Sequence, residues 1–168
     1  MSPSTAARRY ALRTLSALAV APLAAPLAAA LIPVAQAQAL PAVEVFKTPS
    51  CGCCGDWIKH LEANGFKVTA VNVPDLTPVR ARLGMPVKFG SCHTARVGGY
   101  LVEGHVPARE VKRLLREKPQ AVGISVPGMP IGSPGMDGPI YKGMQQPYDV
   151  LLVQADGSSR VFASYNKR

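Results

Sequence analysis

The chain has 168 residues, with 19 Lys and Arg against 10 Asp and Glu, four cysteines and few aromatics. No Lys/Arg run is longer than two. Scattered charge without aromatic interleaving supports nucleic-acid binding poorly and fits a soluble basic surface better. The length allows one modest domain besides a short targeting segment.

Residues 1–37 read as that targeting segment. Nothing acidic lies between Ser2 and Ala37. Arg8, Arg9 and Arg13 open it, an uncharged Ala- and Leu-rich run follows from Thr14 to Ala35, and Ala35-Gln36-Ala37 closes it. Basic, apolar, then small is the order of a secretory signal peptide. Arg8-Arg9 before Tyr10-Ala11-Leu12 is a partial match to a twin-arginine signal, and an ordinary secretory basic patch fits as well. The rival reading is a membrane anchor, since the run reaches the roughly 20 residues a span needs. Against it, Pro22, Pro26 and Pro33 interrupt the run and alanine is only weakly apolar. Cleavage leaves residues 38–168 as a single exported domain with no membrane span, carrying 16 Lys and Arg and 10 Asp and Glu.

From there the elements follow in order. Ala42 to Lys47 alternates and is partly β-branched, predicting a strand. Thr48-Pro49-Ser50 breaks it ahead of Cys51-Gly52-Cys53-Cys54. Asp56 to Asn64 places Trp57, Ile58 and Leu61 at helical spacing, with Gly65 as the stop; Trp57 reads as a core anchor. Phe66 to Val73 predicts a strand, and Asp75 is placed to cap a short helix over Thr77 to Leu83. A loop from Gly84 to His93 leads into Thr94 to Val97, which returns through Gly98-Gly99 as Tyr100 to Glu103. Pro107 to Glu117 predicts a helix with Val111, Leu114 and Leu115 as its apolar stripe. Lys118 to Pro147, rich in Gly and Pro and carrying Met129, Met136 and Met144, reads as an ordered irregular loop. Tyr148 to Gln154 and Ser159 to Tyr165 flank Asp156-Gly157 as a closing hairpin. This order predicts an α/β class: a thioredoxin-like mixed sheet with flanking helices, plus the Gly/Pro/Met-rich loop and a C-terminal β-hairpin. A ferredoxin-like α+β sandwich is the alternative, and cysteines at a strand-to-helix junction favour the first.

The cysteines carry the chemistry. All four, Cys51, Cys53, Cys54 and Cys92, lie in the exported part. An oxidising compartment promotes disulfides, yet three cysteines within four residues staple a chain badly and suit redox chemistry or a soft metal better. The N-terminus of a helix stabilises thiolate, so the C-x-x-C pair Cys51 and Cys54 should be reactive. A two-thiol exchange enzyme has no use for Cys53, whereas a metal cluster gains a ligand. In a thioredoxin-like sheet, Cys92-His93 precedes a strand leaving the cysteine end and His105 follows the strand that returns to it. Extended residues alternate in direction, which favours His105 over His93 as an imidazole ligand; His60 reads as a surface residue. Met129 and Met136 offer thioether donors to the site, against the plain role of filling core gaps. Thiolates and thioethers select soft ions such as Cu(I), and zinc suits thiolate and imidazole too.

Four segments together resemble the copper-resistance proteins of CopG type, a family long catalogued only as a domain of unknown function. They are Cys51-Gly52-Cys53-Cys54 with Trp57, Gly90-Ser91-Cys92-His93-Thr94-Ala95, Glu103-Gly104-His105-Val106-Pro107-Ala108, and Val126-Pro127-Gly128-Met129-Pro130 continuing to Met136. The resemblance spans about Val43 to Phe162. It implies a periplasmic thioredoxin-like domain holding several Cu(I) ions bridged by sulfur from Cys51, Cys53, Cys54 and Cys92, with His105, Met129 and Met136 as supporting ligands. It allows interconversion of Cu(I) and Cu(II), and other periplasmic copper proteins as partners. Two rivals stand beside it: a thiol–disulfide oxidoreductase using Cys51 and Cys54, and a docking domain using the Gly/Pro-rich loop.

Overall fold

The computed structural model describes residues 39–167; the expected signal segment, residues 1–37, lies outside the described residues. Among those described, no helix is long and apolar enough to cross a membrane. The elements are β1 (Val43–Lys47), α1 (Gly52–Ala63), β2 (Val68–Asn72), α2 (Thr77–Leu83), β3 (His93–Val97), β4 (Tyr100–Glu103), α3 (Ala108–Glu117), β5 (Gly123–Ser125), β6 (Tyr148–Val153) and β7 (Ser159–Tyr165). They form one seven-stranded mixed sheet in the order β2-β1-β3-β4-β5-β6-β7. β1 and β2 are parallel, β3 is antiparallel to both β1 and β4, and the C-terminal hairpin β6–β7 extends the same sheet through β5. The first seven elements thus follow the thioredoxin-like order.

Strand alternation divides the apolar residues between two faces. Val43 and Val45 of β1 and Ala95 and Val97 of β3 join Trp57 and Leu61 of α1 and Val111 and Leu114 of α3 in the main core. Phe46, on the other face of β1, packs with Leu76 and with Val79 of α2. The sheet is therefore a middle layer between α1 with α3 and the shorter α2.

Two local readings need correction. α1 begins at Gly52, four residues before the expected Asp56, with Cys51 at its N-cap position. Cys53 and Cys54 lie inside the first helical turn, where the tertiary fit of Cys54, Trp57 and Leu61 to the core outweighs the poor helix propensity of the glycines. Within the stretch expected to be wholly irregular, Gly123–Ser125 pairs parallel to β4 as β5. Three residues are too few for periodicity to register. The α3 crossover delivers them to the sheet edge, and β6 then has a strand to pair with. Elsewhere the expected helix Thr77–Leu83 and strand Tyr100–Glu103 are found with the same bounds.

The register puts the ends that matter on one edge. Lys47, the last residue of β1, faces His93, the first of β3. Thr94 faces Glu103, the last of β4. The turn into α1, the loop into β3 and the loop out of β4 therefore converge.

Candidate metal centre

Cys51 and Cys54 are one helical turn apart, with Cα atoms 5.4 Å from each other, and they are joined as a disulfide. Cys53 and Cys92 are free. Cys53 Sγ lies 3.6 Å from Cys51 Sγ and 3.9 Å from Cys92 Sγ, while Cys54 Sγ sits 3.4 Å from the Cys92 carbonyl oxygen. All four sulfurs fall within 4.8 Å of one another. They serve together as thiolates only when the Cys51–Cys54 bond is reduced.

The histidines meet at Cys92. His105 Nε2 is 3.0 Å and His93 Nδ1 is 3.3 Å from Cys92 Sγ, and both rings are fully buried. His105 Nδ1 donates to the Pro134 carbonyl at 2.8 Å, which leaves the Nε2 lone pair facing the sulfur. A backbone carbonyl that fixes the tautomer in this way is the usual support of a metal-ligating imidazole. Burial lowers the pKa of His105 and pushes that of His93 down to about 3, so both rings are neutral and available as donors. Burial, then the neighbouring Cys53, pushes the Cys92 thiol up to about 12. Without a metal the Cys92 proton stays on, and a metal must displace it.

The expectation that His93 points away from Cys92 is not met. Cys92 occupies a bend rather than extended chain, so alternation does not run through it. His93 follows the parity of Ala95 and Val97 towards α1, and its ring packs on Trp57 with centroids 4.3 Å apart. His60 is not part of the cluster: its Nε2 accepts the Ala108 N–H at 3.0 Å, satisfying one of the free amides at the start of α3.

Met129 and Met136 stand on the loop that covers the site. That loop is tied down where the Gly128 N–H donates to the Gly90 carbonyl at 3.2 Å, where Ser91 Oγ donates to the Gly128 carbonyl, and where Pro134 meets His105. At Gly135 the loop lies so close to α1 that a Cβ would be 2.7 Å from the Cys53 carbonyl and 2.8 Å from the Trp57 nitrogen. Met136 is buried, with Tyr141 Oη donating to its Sδ at 3.4 Å, whereas Met129 is half exposed. Met144 is exposed as well.

A buried ion pair that sequence reasoning missed holds the Cys92 loop from below. Glu103 is fully buried. Its Oε1 accepts from Arg80 Nε at 2.8 Å and from the Ser91 N–H at 2.6 Å, and its Oε2 accepts from Thr94 Oγ1 at 2.5 Å. Arg80 Nη2 donates to the Ser91 carbonyl as well. Both peptide groups of the residue before Cys92 are thereby fixed. Pattern alone gave no warning, since Arg80 and Glu103 lie 23 residues apart and each ends or lines an ordinary amphipathic element.

A mixed α/β sheet that gathers four cysteine sulfurs and two neutral imidazoles, with no carboxylate among them, defines a domain able to hold a soft metal ion. Comparison with known proteins agrees. A family model described as a protein of unknown function, DUF411, matches residues 89–136. Two solved structures titled copper resistance protein copG, forms 2 and 1, are each 48% identical with a TM-score of 0.70. Form 2 covers 75% of this chain and 98% of its own, and form 1 covers 76% and 99%. No curated protein matches the sequence. The chain belongs to the CopG copper-resistance protein family.

Proposed function

We propose that this protein is exported to the periplasm and there binds several Cu(I) ions in a thiolate-bridged cluster as part of copper resistance. The observation that carries the reading is the gathering of four cysteine sulfurs within 4.8 Å at a helix N-terminus. Soft sulfur donors that can be shared between ions let few residues hold more than one Cu(I). Cys51, Cys53, Cys54 and Cys92 are the bridging thiolates and His105 is a nitrogen ligand, its tautomer set by Pro134. Met129 and Met136 add thioether sulfur from the covering loop. The basic, apolar, small order of residues 1–37 supports export, and the copper-resistance relatives support the identity of the ion. Zinc could compete for the same donors.

The Cys51–Cys54 disulfide gives the reading a redox side. Closing that bond from two thiols releases two electrons and two protons, enough to reduce two Cu(II) to two Cu(I). Opening it takes up the same number. The same disulfide favours a second reading, a thiol–disulfide oxidoreductase in which Cys51 and Cys54 exchange with a protein partner.

The test is an anaerobic Cu(I) titration of the fully reduced protein against a chromophoric chelator. The copper reading expects more than one Cu(I) per chain and a lower stoichiometry in Cys92→Ser. Binding of no Cu(I), together with metal-free reduction of a model disulfide that survives Cys92→Ser, would establish the oxidoreductase instead.

A further inference from the structure

The cluster is two donor sets that share one sulfur. The four cysteine sulfurs form the first, and Cys92 Sγ with one nitrogen each of His93 and His105 forms the second, its atoms also within 4.8 Å of one another. The Cys51–Cys54 disulfide disables the first set and leaves the second untouched. We propose that the disulfide-closed protein binds one borderline divalent transition ion, of the zinc and cobalt class, at Cys92, His93 and His105. The inference uses the same pocket as the copper reading but does not require Cu(I).

The geometry fits. A four-coordinate ion with metal–sulfur bonds of about 2.3 Å and metal–nitrogen bonds of about 2.0 Å separates sulfur and nitrogen by about 3.5 Å. The two separations here are 3.0 and 3.3 Å, so the side chains need to part by only a few tenths of an ångström. One sulfur and two imidazoles suit a divalent ion better than Cu(I), which thiolates favour. Three protein donors leave a fourth position for water or for Cys53, whose sulfur is 3.9 Å from that of Cys92. Charge and protons balance simply: the ion displaces the Cys92 thiol proton to solvent, and both imidazoles bind through lone pairs.

His93 is a polar ring at a position where packing would accept an apolar one. The ring is completely buried against Trp57, and its Nε2 has no hydrogen-bond partner among the described residues. An apolar ring of that size would avoid the cost of an unpaired buried polar atom. Nδ1 lies 3.3 Å from the Cys92 sulfur, which itself faces His105.

The experiment uses purified protein oxidised until two thiols per chain remain free, titrated with Co(II) under argon. The expected result is one Co(II) per chain, with thiolate-to-cobalt charge-transfer bands and the intense ligand-field bands of a four-coordinate ion. His93→Asn should weaken binding by at least about 100-fold, beyond the usual loss when only a supporting partner of a ligand is removed. The Cys51→Ser/Cys54→Ser double variant, which cannot form the disulfide, should keep the one-equivalent site and its spectrum. The inference is overturned if the oxidised protein binds no Co(II), or if His93→Asn binds it equally well. Should His93→Asn prove unfolded by circular dichroism, Cys92→Ser decides, because persistence of the charge-transfer bands there overturns the site. A Cu(I) titration of the reduced protein runs alongside. Failure of that titration alone removes the copper reading, and failure of Co(II) binding alone removes this one.

Discussion

Arg80→Ala should uncouple the Cys92 loop from the sheet. Glu103 is fully buried and the Arg80 side chain is 11% exposed. Removing one partner of such a pair costs about 3–5 kcal/mol, mostly because the other charge is left buried. Here the Ser91 N–H and Thr94 hydroxyl still donate to Glu103, which points to the low end, about 3 kcal/mol. The pH dependence identifies the cause. Burial already raises the Glu103 pKa, and the Arg80 charge is among the influences that hold it down. Without that charge the carboxyl pKa rises further. The deficit relative to the parent is therefore largest where Glu103 is ionised in both proteins and shrinks as pH falls through the raised range of the carboxyl, where Glu103 becomes neutral in both. Urea unfolding at pH 7 and pH 5 measures the change, with thiol labelling of oxidised protein reporting faster reaction at Cys92. Arg82→Ala, an exposed arginine on the same helix, should stay within about 0.5 kcal/mol. A cost for Arg80→Ala below about 1 kcal/mol at pH 7, or a deficit that does not change with pH, would refute the reasoning.

Gly135 has φ +81° and sits against the Cys53 carbonyl and the Trp57 nitrogen. Gly135→Ala should cost about 1–3 kcal/mol by backbone strain and overpacking and lift the loop from α1, visible as faster labelling of Cys53 and a lower Tm. Trp57→Phe removes the 2.8 Å bond from Nε1 to the Val106 carbonyl, and stranding that buried acceptor should cost about 1–3 kcal/mol in urea unfolding. In oxidised, metal-free protein, His93 should make stability pH-dependent. The unfolded ring takes up a proton below its ordinary value of 6.5 and the folded ring only near 3, so its contribution is full above 6.5 and declines as pH falls towards 3. His60 and His105 act in the same direction, and Tm measured against pH for the parent and His93→Asn isolates the share of His93. Cu(I) affinity of the reduced protein should weaken as pH falls, because protons compete for Cys92 and its neighbours; an affinity independent of pH would exclude thiolate ligation.

Much of the scaffold was legible from local pattern. Val43–Lys47 and Tyr100–Glu103 alternate, Trp57 and Leu61 recur at helical spacing, and Gly98-Gly99 and Asp156-Gly157 are strong turn signals. Such features depend on neighbours a few residues apart, and they placed Cys51, Cys53 and Cys54 at a strand-to-helix junction and brought Cys92 and His105 to the same end of the sheet. What the tertiary structure alone decided depends on partners distant in sequence or on backbone atoms that no residue type encodes. β5 exists because α3 delivers Gly123–Ser125 to β4. His93 joins Cys92 because a bend interrupts the alternation that would have separated them. Arg80 finds Glu103 across 23 residues. The tautomer of His105 is set by the carbonyl of Pro134, 29 residues away, and any residue at that position would carry the same acceptor.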